Sequence, residues 1–465
     1  RASLHDARAR GGGRGRGAPV ALQAGAALRY AAPLDAIRSA GCASFPEFTS
    51  RTMQPTKILA APLRYRFWRL RHLRLIGNDL FGGRDGPEYP HREHLVAAID
   101  WMCRAQDVRR DAADAGGVSA GWNFEDGWLP SYPETTGYII ETFIAAAALL
   151  VRPELRERAT RMIDWELSLQ HEDGAFPGHF GEAGSRPVIF NTGQIMHGMI
   201  AGYSEFGRTD CLQAAVRAGH WLVSQQDEDG CWRRFEHNDV PHVYNTRAAW
   251  ALLATGMVAG EPALEQAAIR NLHWALSQQR ACGWFANNAF VPQRHPFTHT
   301  IAYAIRGLLE CGVLLGEERY LAAAEKAAGA LAEAQREDGS LAGAYGERWI
   351  PKADYCCLTG VAQMSVNWVR LAQVYGTDKW YRYARRALAY LKRHQRVLDK
   401  DQAVMGGIAG SYPIWGDYSR FEYPNWAAKF FADALMMDMM GVAVPTVRNK
   451  PRQSVGERVE LNANG

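Results

Sequence analysis

A glutamine that recurs at the end of successive amphipathic helices is the feature that most constrains the fold of this 465-residue chain. Six such glutamines follow one another at intervals of 53 to 64 residues: Gln106, Gln170, Gln226, Gln279, Gln335 and Gln395. Three of them, at positions 170, 226 and 335, open the same phrase, Gln-x-Glu-Asp-Gly. Apolar residues precede each glutamine at three- and four-residue steps, which is the pattern of an amphipathic helix. The Asp-Gly pair is expected to end the helix, since glycine readily adopts a left-handed backbone conformation.

A second series of polar residues runs out of phase with the first. Its members, each followed by a more apolar stretch, are Thr136, Thr192, Thr246, Thr300, Thr359 and Asn425. Thr and Asn side chains accept hydrogen bonds from free N–H groups of a first helical turn, so these residues are expected to be N-caps. The stretches that follow, such as residues 301–309, are apolar on nearly every side. A helix of this kind is buried all round.

Six amphipathic helices therefore alternate with six buried ones, at a period close to 56 residues. Closed into a ring, six such hairpins form an all-α (α/α)6 toroid, in which inner helices lie inside a ring of outer helices. We predict one such domain over residues 93–442. An open solenoid is the competing architecture, but its repeats are usually shorter, at about 34 to 47 residues.

The sequence on either side of the repeats has a different character. Residues 1–52 begin with an Arg- and Gly-rich stretch that offers little apolar surface, and they are predicted to be a disordered or non-native extension. Residues 53–92 form a basic N-terminal segment, and 443–465 are expected to be a flexible tail. Within the basic segment, residues 64–76 alternate basic and apolar side chains. They are expected either to pack on the domain edge, which we favour, or to make peripheral contact with an anionic membrane.

Composition excludes several functional classes. The formal net charge of +4 is too small to indicate nucleic acid as a partner. The chain contains no apolar run of membrane-spanning length and no secretory h-region, and its eight cysteines show no paired spacing. We therefore expect a cytoplasmic protein without metal or cofactor.

The loops that lead into the inner helices are long and carry many aromatic and polar residues, whereas the returns are short. Long loops with such residues are often functional. They converge on the N-termini of the inner helices, whose free N–H groups and dipoles favour anions such as carboxylates. The sequence therefore predicts a site at this end of the ring.

Particular motifs resemble known toroid families. The Gln-x-x-Asp-Gly phrase resembles the repeat of terpenoid cyclases and prenyltransferases, and residues 90–440 are similar as a whole to six-hairpin glycosidases. Segments 359–368, 375–380 and 406–413 resemble the C-terminal toroid of glucuronyl C5-epimerases. Segments 132–138 and 423–431 resemble toroid proteins of bacterial exopolysaccharide synthesis. This resemblance implies an acidic polysaccharide or oligosaccharide as substrate. The Asp-x-Asp-Asp motif of squalene-type cyclases and the Cys/His zinc sets of related toroids are missing from the sequence.

Two chemistries compete for the residues near the inner-helix N-termini. The first removes the proton next to a uronate carboxylate, and leads to a lyase or a C5-epimerase. Asn191, Gln194 and Arg247 are candidates to neutralise the carboxylate, and the candidates for proton transfer are Tyr244, His242, His299 and Tyr355. Further candidate substrate-binding residues are Asn245, Tyr132, Trp128, Tyr423 and Trp426. An Arg in the first turn of a helix opposes the helix dipole, so Arg247 is expected to have an anionic partner, either a ligand or a loop carboxylate such as Asp239.

The second chemistry is glycoside hydrolysis by two carboxyl groups about 5–5.5 Å or 6.5–9.5 Å apart. The candidates for such a pair are Glu134, Asp354 and Glu422, with Glu236 and Asp239 on a loop. A non-catalytic toroid that binds glycan or protein is a third possibility, and a terpenoid cyclase-like enzyme is a minor fourth. We favour an enzyme over a binding module, and a lyase or epimerase over a hydrolase.

Overall fold

The computed structural model describes residues 61–81, 88–180 and 185–441. The predicted extension, 1–52, and the predicted tail, 443–465, lie outside the described residues. Within the described ranges, no helix is both long and apolar enough to cross a membrane.

Twelve helices form two concentric rings, preceded by a short helix, α1 (Leu70–Phe81). The outer helices are α2 (His91–Asp107), α4 (Glu154–Leu169), α6 (Thr209–Gln225), α8 (Pro262–Ser277), α10 (Glu318–Glu333) and α12 (Lys379–His394). The inner helices are α3 (Pro133–Leu150), α5 (Ile189–Phe206), α7 (Thr246–Ala259), α9 (Thr298–Leu315), α11 (Leu358–Tyr375) and α13 (Asn425–Met440). This arrangement confirms the prediction of an (α/α)6 toroid.

The inner ring is closed. Each inner helix packs against the next one along the chain, and α13 packs back against both α3 and α2. The inner helices are buried on most sides, whereas the outer helices bury one face, as the sequence pattern predicts. Closure therefore joins the last hairpin of the chain to the first.

The recurrent glutamine bridges neighbouring outer helices. Gln226 Nε2 donates to the carbonyl of Gly230, at 3.1 Å, and to that of Ala267 in α8, at 2.9 Å. All six glutamines make this pair of hydrogen bonds, one within their own turn and one to the following outer helix. The last of them, Gln395, donates to the His94 carbonyl of α2 and so completes the circle. We call this pair of bonds the glutamine bridge.

The glycine of the repeat is required at the point of closest approach between helices. Gly230 has a φ of +86°, and a Cβ atom on it would lie 2.3 Å from the carbonyl oxygen of Arg270 in α8. The aspartate before it accepts a hydrogen bond from the backbone N–H of Cys231 at 3.1 Å, which closes the turn. The turn thus holds the Gly230 carbonyl where the glutamine amide reaches it.

The predicted N-caps are wrong. The helices begin up to three residues before the Thr series, and no N-cap side chain among the inner helices bonds its first turn except Cys357, whose Sγ accepts from the Gly360 N–H. Instead, the Thr136 hydroxyl accepts a hydrogen bond from the backbone N–H of Val118, and Thr192 does the same for Phe176. These hydroxyls fix the incoming loop, because the loop brings its own unpaired backbone groups into the buried end of the ring.

Short strands order the long loops. β1 (Gly121–Asn123) lies between β2 (Gly127–Trp128) and β5 (Glu422–Pro424), both antiparallel to it, and β3 (Cys356–Cys357) pairs with β4 (Ser411–Tyr412). The β1–β5 pairing ties the first long loop to the last. By contrast, two residues connect Phe206 of α5 to Thr209 of α6. The long loops therefore gather at the N-terminal end of the inner ring, as predicted.

The glutamine bridge yields a test of stability. Gln226→Met removes the amide that pairs two backbone carbonyl groups, and we expect it to lower the free energy of unfolding by about 1–3 kcal/mol. Denaturant titration followed by circular dichroism measures the loss. Gln225→Met is the matched control, because the Gln225 amide donates to Ser224 Oγ rather than to a neighbouring helix. Equal losses in the two variants would contradict a special role for the bridge.

Candidate functional site

Polar side chains from five inner helices meet inside the N-terminal end of the ring. They come from the first two turns of α3, α5, α7, α9 and α11, together with Tyr132 just before α3. The principal members of this group, which we call the axial cluster, are Tyr132, Glu134, Asn191, Gln194, Arg247, His299, Tyr303 and Gln363.

Glu134 is the acidic member of the axial cluster. The Tyr132 hydroxyl donates to Glu134 Oε2 at 2.8 Å. Burial raises the pKa of the Glu134 carboxyl to about 7, although the Tyr132 hydrogen bond and the charge of Arg247 both act to lower it. A carboxyl with this pKa changes its protonation state near neutral pH, as a general acid or base must.

Arg247 is the cationic member, and it is 4% exposed. Its Nε and Nη2 atoms donate to Gln194 Oε1 at 3.2 and 3.0 Å, and its guanidinium lies 4.9 Å from the ring centre of Trp250. Of the two anionic partners expected for Arg247, Asp239 is excluded, because this exposed residue pairs with Arg186 at 2.8 Å. No carboxylate of the described residues lies within ion-pair distance of the Arg247 guanidinium. Buried charges are normally paired, so the ligand remains as the expected partner.

Two amides of the axial cluster have donors without partners. Gln194 Nε2 and Gln363 Nε2 are buried and make no hydrogen bond with any described residue. Leaving a buried N–H group unpaired is costly, so such groups point to a bound acceptor. Together with Arg247, they form a donor-rich surface that suits a carboxylate.

A cavity of about 190 Å³ continues from this surface toward the C-terminal end of the inner helices. Its charged lining residues are Glu141, Arg247, Arg306, Lys429 and Asp433, and Tyr303, Gln363 and Trp250 also border it. Two of the three cations have their own carboxylates, since Lys429 pairs with Asp433 at 2.5 Å and Arg306 with Glu310 at 2.9 Å. Burial raises the pKa of Glu141. The cavity therefore combines these charged groups with a predominantly apolar lining that includes Trp250, Phe430 and Met436.

The predicted His and Tyr bases titrate far from neutrality. His299 Nδ1 donates to Gln363 Oε1 at 2.9 Å, and burial lowers the pKa of His299 to about 3. His242 stacks on Tyr244 with ring centres 4.4 Å apart, and burial lowers the pKa of His242 to about 4 and raises that of Tyr244 well above its usual value. Both histidines are therefore neutral at neutral pH, and their role there is to donate or accept hydrogen bonds. Tyr244 lies beside the cluster, since its ring contacts Phe190.

Two further predicted carboxyl groups lie away from the axial cluster. Asp354 is exposed to solvent. Glu422 stands on β5 opposite Asn123, where burial and the charge of Asp126 raise its pKa to about 8. Neither residue contributes to the pKa of Glu134. Sequence spacing did not reveal this, because strand pairing fixes the position of Glu422.

Several predicted binding residues have structural contacts instead. Trp128 packs on Trp101, with ring centres 5.5 Å apart, and the buried Tyr423 hydroxyl accepts a hydrogen bond from Arg396 Nε at 3.3 Å. Asn245 Nδ2 donates to Glu236 Oε1 at 2.6 Å, so these two buried side chains pair with each other.

Two aromatic residues lie between these groups and the cluster. Tyr355 is buried in a small cluster with Cys357 and Tyr418. Trp426 Nε1 donates to the Tyr418 hydroxyl at 2.8 Å, and its ring centre lies 6.2 Å from that of Tyr132. Trp426 thus borders the axial cluster, whereas Tyr355 packs with Cys357 and Tyr418.

The deeper residues of the site were not predicted from the sequence. These are Glu141, Tyr303, Arg306, Gln363, Lys429 and Asp433, all on inner helices. The signal that reveals them is a charged or amide residue in a helix that is otherwise apolar all round. Within the described residues, no group of three His, Cys, Asp or Glu side chains lies close enough to hold a metal ion.

Comparison with known proteins supports the fold. Residues 130–309 match the family model of the squalene-hopene cyclase C-terminal domain. Over 264 residues, 52% of this chain, the sequence is 24% identical to a squalene–hopene cyclase of Zymomonas mobilis subsp. mobilis, and the match spans 37% of that protein.

Solved structures with the same architecture cover most of the chain. An unsaturated glucuronyl hydrolase from Bacillus sp. GL1 superposes with a TM-score of 0.57 and 15% identity, over 76% of this chain and 97% of that one. Cellobiose 2-epimerase from Bacillus thermoamylovorans B4167 superposes with a TM-score of 0.59 and 13% identity, over 74% of this chain and 97% of that one. The protein is an (α/α)6 toroid. At these identities, the likeness extends to the fold alone, and the toroid's chemistry is set by the residues that line it.

The Tyr132–Glu134 hydrogen bond yields a test of the site's electrostatics. Tyr132→Phe removes a donor to the charged carboxylate, so we expect the pKa of Glu134 to rise by roughly one pH unit. Difference infrared spectroscopy of the carboxyl band during a pH titration measures the change, with Glu134→Gln as the blank. Tyr423→Phe, which loses a hydroxyl elsewhere in the protein, is the control. An unchanged or lowered pKa in Tyr132→Phe would contradict the assignment.

Proposed function

We propose that the protein is a carbohydrate-active enzyme that acts on an acidic, uronate-containing saccharide by proton transfer next to the sugar carboxylate. The observation that carries this proposal is Arg247, a buried cation without a bonded carboxylate, beside a carboxyl group whose pKa is about 7. The toroid fold shared with glucuronyl hydrolases and a cellobiose epimerase supports saccharides as the substrate class.

The chemistry follows from the axial cluster. Arg247 and Gln194 hold the sugar carboxylate and neutralise it, which makes a carbanion at the adjacent carbon tolerable. Glu134, in its charged form, accepts the proton from that carbon. Return of a proton to the opposite face gives a C5-epimerase, whereas loss of the 4-linked sugar gives a lyase. The Tyr303 hydroxyl, next to Arg247, is the candidate donor for either second step.

Glycoside hydrolysis by paired carboxyl groups has less support. The nearest candidate partner on the same helix is Glu141, seven residues after Glu134 and about 10.5 Å further along the axis. Burial raises the pKa of Glu141 and the charges of Lys429 and Arg247 lower it, whereas Glu141 is not among the groups that shift the pKa of Glu134. A hydrolase that relies on one carboxyl group is compatible with the site and is distinguished by the assay below.

A terpenoid cyclase is the second candidate, because residues 130–309 match the squalene-hopene cyclase model. The charged residues in the cavity lining argue against a terpenoid cyclase. Hydrocarbon chains gain nothing from the charges of Arg306, Lys429 and Asp433, and burying such groups against a hydrocarbon is unfavourable. A carboxyl with a pKa near 7 is also a weak acid for protonating an isolated alkene.

One assay separates these candidates. The protein is incubated with a panel of uronate-containing glycans, and three signals are followed: absorbance of unsaturated uronate, uptake of solvent deuterium, and new reducing ends. Growth in absorbance indicates a lyase, deuterium without cleavage an epimerase, and reducing ends alone a hydrolase. Silence in all three on a broad panel, with binding retained, would leave a non-catalytic glycan-binding toroid. Motif resemblance supports a place in cytoplasmic exopolysaccharide synthesis, which co-purified glycan would test.

Glu134 gives the sharpest catalytic test. Glu134→Gln is expected to lower kcat by about 10²–10⁴-fold, because the amide cannot accept the proton. The wild-type rate should rise with pH through about 7, since the base works only when deprotonated. A rate that falls through this pH would indicate that Glu134 acts as an acid, as in a hydrolase.

The matched control is Glu166→Gln. Glu166 is a buried carboxyl in outer helix α4, and burial raises its pKa as well. It shares the electrostatic setting of Glu134 without belonging to the axial cluster. Equal loss of activity in both variants would mean that Glu134 acts only through folding.

Arg247 gives a test of carboxylate recognition. Arg247→Ala is expected to raise the Kd for uronate ligands by roughly 10–100-fold, since it removes a charge-assisted hydrogen-bond donor, while the circular dichroism spectrum is retained. Arg247→Lys should recover part of the affinity. The neutral sugar of the same configuration serves as the ligand control. An unfolded variant, or unchanged uronate affinity, contradicts the ligand role.

A further inference from the structure

One face of the basic segment that precedes the ring packs against the long loops at the N-terminal end of the inner helices. His72 is fully buried and stacks on Phe124 with ring centres 4.1 Å apart. Tyr65 and Phe67 pack against Phe421, and Leu75 of α1 is buried. Phe421 immediately precedes β5, which leads into the first turn of α13. The segment therefore lies at the loop end of the toroid, the same end as the axial cluster.

The opposite face of this segment is apolar and exposed. The exposed fractions are 84% for Leu70, 48% for Leu73, 55% for Leu80 and 86% for Phe81. At about 100° per residue, these four side chains fall within a 100° arc of α1. Trp68, in the turn before α1, is 62% exposed. Apolar side chains clustered in this way on a protein surface indicate a site of contact with another protein or a membrane.

The same face carries unbalanced positive charge. Five arginines lie between residues 64 and 74, and the first acidic residue after position 61 is Asp79. Arg64, Arg71 and Arg74 pair with carboxylates of the ring, at 2.8, 3.9 and 2.5 Å. Arg66 and Arg69 have no ion pair with any residue that the structure describes, and they flank Trp68 in the sequence. Apolar anchors flanked by free cations complement an anionic surface that has a hydrocarbon interior.

We propose that this docking face, Leu63–Phe81, binds the protein to an anionic membrane surface, with the apolar side chains inserted at the headgroup boundary. Trp is favoured at that depth because its ring is amphipathic, and Arg attracts acidic headgroups. A second copy of the chain is the less favourable occupant, since two identical basic faces repel each other. Docking in this manner presents the loop end of the toroid to the bilayer.

Vesicle co-sedimentation of the full chain tests the proposal. The expected result is binding to vesicles of phosphatidylcholine mixed with phosphatidylglycerol, which weakens with salt, and little binding to phosphatidylcholine alone. The double variant Trp68→Ser/Leu70→Ser should lower the partition coefficient at least tenfold, and Arg66→Gln/Arg69→Gln should remove the preference for anionic vesicles. Because Trp68, Arg69 and Leu70 are exposed and Arg66 is half-buried without an ion pair to any described residue, circular dichroism should match the wild type.

Val258→Ser is the control, because it changes an exposed apolar residue, 45% accessible, on inner helix α7. Wild-type binding in both double variants, or no binding to anionic vesicles, overturns the proposal. A concentration-dependent dimer in sedimentation velocity that these variants abolish, without vesicle binding, assigns the face to a second copy. The face lies outside the axial cluster, so turnover of a soluble uronate substrate should be unchanged in all variants, which separates this proposal from the proposed function.

Discussion

The structure depends on one repeated interaction, the glutamine amide that pairs two carbonyl groups from neighbouring outer helices. An amide N–H2 group has two donors, and each glutamine uses both, one on its own turn and one on the next helix. Backbone carbonyls at a helix end otherwise need water or a cap. Because the sixth bridge, from Gln395 to His94, returns to the first outer helix, every hairpin is held by both of its neighbours. The repeat therefore encodes ring closure as well as helix termination.

A closed ring has consequences for the groups inside it. The inner helices are packed on both sides, so the side chains inside the ring are largely removed from bulk water. Burial accordingly raises the pKa of Glu134 and lowers that of His299, although the two belong to one cluster. Both groups favour the neutral form for the same physical reason. Only the carboxyl reaches a pKa near 7, and this distinguishes it from the histidines as a proton carrier.

The fold was predictable from the sequence because its determinants are local and repeated. Glutamine, glycine and apolar spacing recur along the hairpins, so the pattern can still be recognised when one hairpin departs from it. The site was only partly predictable. Glu134, Gln194 and Arg247 were found because they lie in or next to a first turn, where the chain path is defined by the helix. Asp354 and Glu422 were grouped with them wrongly, because the path of an individual loop is fixed by strand pairing and not by any repeat.

The threonine series shows a different kind of failure. The residue type suggested a cap, but Thr136 and Thr192 bond the incoming loop, since the chain that enters the ring also has donors to satisfy. The deep residues Glu141, Arg306 and Lys429 were overlooked because one charge in a long apolar helix hardly alters its pattern. A single charged residue in a helix that is buried all round therefore indicates a site, even though it hardly changes the composition of the helix.

The charge balance of the interior links the shared fold to a particular chemistry. Lys429 and Arg306 are compensated by carboxylates on their own helices, at i+4 in both cases, so these pairs are complete without a ligand. Arg247 has no carboxylate within ion-pair distance among the described residues; its direct contacts are the Gln194 amide oxygen and the ring faces of Trp250 and Tyr303, and the helix N-terminus on which it stands adds further positive potential. Burying a cation in this way is unfavourable, and the loss of stability is offset either by other interactions in the ring or by a bound anion. A toroid that binds hydrocarbons has no need of such a cation, whereas one that must hold a carboxylate while a neighbouring proton is removed requires it.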